Sequence, residues 1–335
     1  MSRYGATILD ADGLTLSADE RAFFRDANPF GFILFARNIE EPEQVRRLCG
    51  EFREAVGREA LITIDQEGGR VQRLRAPHWR EWLPPLEQAE LAGAQAARSF
   101  YLRFRIIAHE LRGAGIDSNC APMLDIGYDE THAFLKNRCY GIDVEEVCAN
   151  GRAAAAGMLD GGVLPVVKHI PGHGRAMADS HYELPSVAAE LESLAASDFA
   201  PFRALNDLPL GMTAHIRFPA LSDDPATLSK PVMDMIRRQI GFEGLIMTDD
   251  ISMKALNGDL GALSRAALDA GCDVILHCNG TLAERRAVAE AAGEMTDAAQ
   301  ARADAALEWR TAPDDVDISA LEVELGALLN GRQHG

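Results

Sequence analysis

Short apolar runs alternate with amphipathic stretches along most of the chain. Eight runs read as strands: ATILDA (6–11), GFILFA (31–36), ALITID (60–65), IDSNCAPML (116–124), VLPVVKH (163–169), LGMTAH (210–215), GLIMTDD (244–250) and DVILHC (273–278). Helical patterns fill the intervals at 42–56, 95–115, 145–162, 189–205, 230–240 and 264–271. Several of them end in Gly, the residue favoured just past a helix C-terminus. Strand–helix alternation implies a parallel sheet with helical crossovers. Eight such units predict a (β/α)8 barrel of the TIM type, a fold that reaches about 250 residues or more as one domain. The expectation is one catalytic domain over 1–335, with the Ala- and acid-rich stretch 281–335 forming peripheral helices. An open doubly wound sheet is the alternative, but no Gly-x-Gly-x-x-Gly follows the first strand.

Charge narrows the partners. Against 33 Lys plus Arg stand 51 Asp plus Glu, a net charge of −18 in 335 residues. Such a surface repels phosphate backbones and anionic membranes, so neither nucleic acid nor a membrane is expected as a partner. The N-terminus lacks the charged region and apolar run of an export signal, and no stretch offers eighteen consecutive apolar residues. A cytoplasmic protein is expected. Six cysteines, at 49, 120, 139, 148, 272 and 278, form neither a CxxC nor a dense framework. Reduced thiols fit best, with no structural zinc and no cofactor.

In a barrel of this kind the C-terminal ends of the strands carry the chemistry. Here those ends are polar: Asp10, Asp65, Asp125 after strand four, Lys168-His169, His215 and Asp249-Asp250. One polar strand end is an ordinary transition to solvent; six on one rim point to a site. After strand three comes DQEGGRVQRL, whose Gly68-Gly69 permit close backbone approach and whose Arg70 and Arg73 offer fork-shaped donors. LKNRCYG supplies Arg138 on a loop able to reach the same rim.

The stretch KHIPGHGRAMADSHY, 168–182, holds three histidines and Asp179. A metal site is one reading of it, and an ordered loop whose histidines bond only their neighbours is another. Against a metal site, His169, His173 and His181 lie on a Gly-Pro-rich loop and not at i, i+4 on one helix face. Asp179 and His181 stand two apart, so on an extended segment they point the same way and the carboxylate can fix the tautomer of the ring and raise its basicity. Asp249 at a strand end is placed to attack an anomeric carbon. The plainer reading of either Asp249 or Asp250 is the N-cap of a helix over ISMKAL, a role that suits Asp250, next along the strand and pointing elsewhere, more readily.

Taken in order, IDQEGGRVQRL, KNRCYG, KHIPGHGRAMADSH, MTAHIRFP with DPATLS, and MTDDISM resemble glycoside hydrolase family 3, in particular its single-domain bacterial β-N-acetylglucosaminidases of peptidoglycan recycling. The resemblance runs from GFILFARN near residue 31 to DVILHC near 278. It implies a TIM-type barrel that releases β-linked GlcNAc from 1,6-anhydro-N-acetylmuramic acid, with or without peptide, in the cytoplasm. Carried over by motif, Asp249 is the nucleophile, His181 the general acid/base and Asp179 its partner. Asp65, Arg73, Arg138, Lys168 and His169 are implied to hold the sugar, while His173 is expected to shape its loop rather than touch substrate. The chain departs from the family pattern at Arg175-Ala176, where Asp-Thr is usual, and at Arg138-Cys139-Tyr140-Gly141, where Arg-Ser-Phe-Gly is usual.

Four rivals remain open from the sequence. A family 3 phosphorylase or β-glucosidase would share the scaffold. A metal-dependent amidohydrolase would need a bound metal, and a silent sugar-binding module would need neither Asp249 nor the dyad.

Overall fold

The computed structural model describes residues 3–177 and 183–330. Among the described residues eight strands follow the chain: β1 Gly5–Leu9, β2 Pro29–Leu34, β3 Leu61–Ile64, β4 Ser118–Asn119, β5 Leu164–Ile170, β6 Leu210–Thr213, β7 Leu245–Met247 and β8 Ile275–His277. They form two four-stranded sheets in the orders β3-β2-β1-β8 and β4-β5-β6-β7, with every strand pair parallel. All strand residues are buried. Helices therefore cover the sheets, as the amphipathic stretches between apolar runs require. Two large groups of buried side chains fill the interior, one around Val166, Phe202 and Ile246, the other around Phe32, Phe52 and Phe104.

Backbone hydrogen bonds also cross between the sheets. Asp117 N–H donates to Ile62 O at 3.1 Å and Cys120 N–H to Ile64 O at 2.8 Å. On the other side Asp273 N–H reaches Ile246 O at 2.8 Å and Thr248 N–H reaches Val274 O at 3.0 Å.

The helix expected at 42–56 runs from Pro42 to Val56, with Pro in the first turn and Gly57 left-handed at its end. The stretch 189–205 instead gives two short helices, Leu191–Ala196 and Ala200–Ala204. Pro201, which has no N–H to donate, opens the second one. Strand four is shorter than the expected 116–124, because Ala121 N–H folds back on Asn119 O and Pro122 has no amide hydrogen. A helix over Ala18–Ala27 adds to the expected set; Ser17 and Glu20 form its capping box, a signal present in the sequence. Helices Leu282–Ala292, Asp297–Glu308 and Ile318–Leu328 occupy the predicted C-terminal stretch. The peptide bond between Lys168 and His169 is cis. Among the described residues no helix is long and apolar enough to cross a membrane.

Candidate active site

The residues that follow the strands converge on a cavity of about 400 Å³. Asp65, Arg73, Arg138, Lys168, His169 and Asp249 all line it. Asp179 and His181 lie outside the described residues.

One wall is a chain of charges. Lys168 Nζ donates to Asp65 Oδ1 at 3.0 Å and to Glu67 Oε1 at 2.5 Å. Arg73 donates to the other oxygen of Asp65 at 3.1 Å. Arg138 grips Glu67 with two parallel bonds of 2.9 and 2.8 Å, the bidentate geometry that makes Arg–carboxylate pairs strong. Burial by itself would raise both carboxyls, but the cations outweigh it. Lys168 and Arg73 hold Asp65 well below the usual carboxylate range. Arg138 and Lys168 bring Glu67 down to about 2. Burial works against the charge on Lys168 too, and Asp65 and Glu67 nevertheless raise its pKa above the ordinary lysine value. The wall is therefore fully ionised at neutral pH, with its donors fixed.

Glu67 is fully buried beneath this wall and is absent from the sequence-derived site. It lies inside IDQEGGRVQRL, and its position between Asp65 and a pair of glycines was the available signal. Gly68 explains the tight turn after it: at φ +112°, an added Cβ would fall 1.7 Å from the Arg103 guanidinium, which hydrogen-bonds Glu67 O.

Asp125 works from behind the cavity. Its Oδ2 accepts from His169 Nδ1 at 2.7 Å, which leaves Nε2 as the ring nitrogen for a ligand. Its Oδ1 accepts the backbone N–H of His173 at 2.6 Å. Simple strand alternation would send Lys168 and His169 to opposite faces. The β5–β6 register shifts between Val167 and Ile170, and across that irregularity both side chains reach the cavity.

Asp10 and His215 support the cavity rather than line it. Asp10 is buried against Arg285 at 2.6 Å, pairs also with Arg37, and accepts Asn279 N–H at 2.8 Å. His215 is satisfied by Thr227 at 2.8 Å and by Asp250 O at 3.0 Å. Asp249 follows β7 and accepts Asp250 N–H at 2.8 Å. The helix expected over ISMKAL is a correction: 251–256 is a set of turns. Asp250 Oδ1 takes Ser252 N–H at 3.1 Å and its hydroxyl at 2.8 Å, a local turn that competes with helix formation. Of the two departures from the family pattern, Arg175 bonds Asp198 at 2.7 Å and Ser197 at 3.1 Å, anchoring the segment to the body. Cys139 is buried, its thiol 3.6 Å from Leu135 O.

Residues 9–309 match the family described as Glycosyl hydrolase family 3 N terminal domain. The chain belongs to glycosyl hydrolase family 3. A β-hexosaminidase of Methylococcus capsulatus is 40% identical over 281 residues, spanning 81% of this chain and 82% of that protein. A β-hexosaminidase of Thiobacillus denitrificans is 36% identical over 288 residues, with 82% and 78% covered. Among solved structures, native NagZ from Neisseria gonorrhoeae superposes with a TM-score of 0.83 at 28% identity, covering 98% of this chain and 97% of that one. The family 3 β-N-acetylglucosaminidase of Paenibacillus sp. gives 0.85 at 31% identity, covering 96% and 67%.

Proposed function

We propose that this family 3 member is a retaining β-N-acetylglucosaminidase. It releases GlcNAc from GlcNAc-1,6-anhydroMurNAc, with or without peptide, in cytoplasmic peptidoglycan recycling. The observation that carries this reading is Asp249, a carboxylate after β7 that shares one cavity with the ionised Asp65–Arg73–Lys168 wall. The names of the related proteins support the same sugar.

In this reading Asp249 attacks the anomeric carbon while the bond to the leaving oxygen breaks, giving a glycosyl ester on Asp249. His181, oriented by Asp179, gives its proton to that oxygen and then takes one from the water that cleaves the ester. Asp65, Arg73, Arg138, Lys168 and His169 hold the sugar's hydroxyls and its acetamido group. The wall is ionised and paired before substrate arrives, so no donor has to reorganise as the transition state forms.

A single domain over 1–335, closed as a (β/α)8 barrel, belongs to the same proposal. The hydrogen bonds from Asp117 and Cys120 at one seam and from Asp273 and Thr248 at the other support closure.

Product analysis with the GlcNAc-anhydroMurNAc disaccharide, beside a β-glucoside control, tests the activity. Release of GlcNAc, unchanged by added phosphate or by chelators, is expected. Asp249→Ala should lower kcat by about 10³-fold or more on every substrate. His181→Ala should spare the first step on an aryl glycoside with a good leaving group and lose about 10²–10⁴-fold on the disaccharide. Equal losses on both substrates would remove His181 as the acid.

A further inference from the structure

His173 was expected to shape its loop, yet the loop's shape is fixed by other atoms. The His173 backbone N–H is held by Asp125 Oδ1 at 2.6 Å. Gly172, at φ +139°, packs so closely on Asp198 that a Cβ there would lie 2.8 Å from its carbonyl oxygen. Gly174 sits against Ile126, where a Cβ would meet the carbonyl oxygen at 2.3 Å, and its own carbonyl accepts the Thr131 hydroxyl. Backbone atoms and glycines thus set the turn, and the imidazole contributes no hydrogen bond to it.

The ring itself faces the cavity. His173 lines it together with Asp249 and Arg138, and its ring centre is 5.8 Å from that of His169. It is 6% exposed, and neither ring nitrogen has a hydrogen-bond partner among the described residues. His169 and His215, also buried beside this cavity, each have a fixed partner. Buried polar groups are nearly always paired, and one left unpaired at a cavity wall costs free energy that an incoming polar group restores. Burial pushes His173 down to about 4, so at neutral pH the ring is uncharged, with one nitrogen donating and the other accepting.

We propose that His173 is a substrate-binding residue, its neutral imidazole exchanging hydrogen bonds with a hydroxyl or amide group of the glycoside bound beside Asp249. This rests on the proposed glycosidase activity and adds a sugar contact to it. An ammonium or guanidinium can only donate; a neutral imidazole can also accept, which suits a group that is itself a donor.

The test compares the full-length protein with His173→Leu, which removes both nitrogens, and with His173→Asn and His173→Gln, which each return polar atoms near one of them. Turnover of an aryl β-N-acetylglucosaminide and the melting temperature are read together. The expected result for His173→Leu is a 10- to 100-fold fall in kcat/KM with no fall in melting temperature, partly recovered in one of the amide variants. A lowered melting temperature with kcat/KM within twofold of wild type would overturn the proposal and return His173 to a structural role. Should His173→Leu fail to fold, the wild-type ring nitrogens decide: their NMR resonances must shift on saturation with GlcNAc, and unmoved resonances overturn the proposal. A wild-type protein inactive on the aryl glycoside would instead defeat the glycosidase reading, an outcome distinct from an active wild type with an unaffected variant.

Discussion

Glu67 shows how a residue that does not line the cavity can still govern it. Its two oxygens hold the guanidinium of Arg138 and the ammonium of Lys168, and those two side chains do line the cavity. Glu67→Gln would leave Lys168 paired with Asp65 and take from Arg138 its bidentate carboxylate partner. Breaking a buried ion pair from one side typically costs about 3–5 kcal/mol, because the partner charge stays buried. Denaturant unfolding of Glu67→Gln should show a loss of that order. Steady-state kinetics should show kcat/KM down by roughly 10- to 100-fold, as for other supporting partners of binding groups. The sequence displayed this glutamate within its motif but gave no sign that its partners would be Arg138 and Lys168.

At the scale of elements, the C-terminal helix Ile318–Leu328 docks beside the helix Ala96–Gly113 through a cluster that senses pH. Glu110 accepts Arg80 N–H at 3.3 Å, and Arg80 pairs with Glu322 at 2.5 Å. Burial pushes Glu110 up to about 7 from its ordinary 4.5, with the charge on Glu322 adding to the rise and Arg80 opposing it. The folded state therefore holds this proton more tightly than the unfolded chain. Its contribution to stability is complete below about pH 4.5 and is lost as pH rises through about 7. Glu110→Gln should match the wild type at pH 5 and exceed it at pH 8 by about 1–3 kcal/mol, measured by unfolding at both values. Apolar periodicity made the helices legible in the sequence, whereas the breaks in 116–124 and 189–205 came from prolines and local turns that the apolar pattern overran.

For the whole molecule, the stretch between the last two helices fastens parts of the chain far apart in sequence. Arg310 pairs with Asp117 at 2.9 Å and donates to Glu59 O at 2.7 Å. Asp314 bonds Arg105 at 2.7 Å, and its N–H reaches Asp160 O at 2.8 Å. Asp117 in turn accepts Ile62 N–H at 2.8 Å, just inside β3 and away from the C-terminal strand ends that line the cavity. Arg310→Met should thus lower stability by about 1–3 kcal/mol, since among the described residues Asp117 keeps only Arg53 at 3.5 Å as a charged partner. Melting should register that loss while kcat/KM below the transition stays unchanged.

The sequence by itself determined the alternation of strands and helices, the family, and the polar residues at the strand ends. Each of these is written in local patterns: apolar runs, caps, and motifs of a few residues. Tertiary structure decided which polar strand ends face the cavity and which, like Asp10, Asp125 and His215, brace it from behind. It also decided that Glu67 would pair with both Lys168 and Arg138, and that the His173 ring would have no hydrogen-bond partner among the described residues. Those outcomes depend on distances between side chains from separate strands and loops. Packing sets such distances, and neither spacing along the chain nor composition encodes them in a readable form.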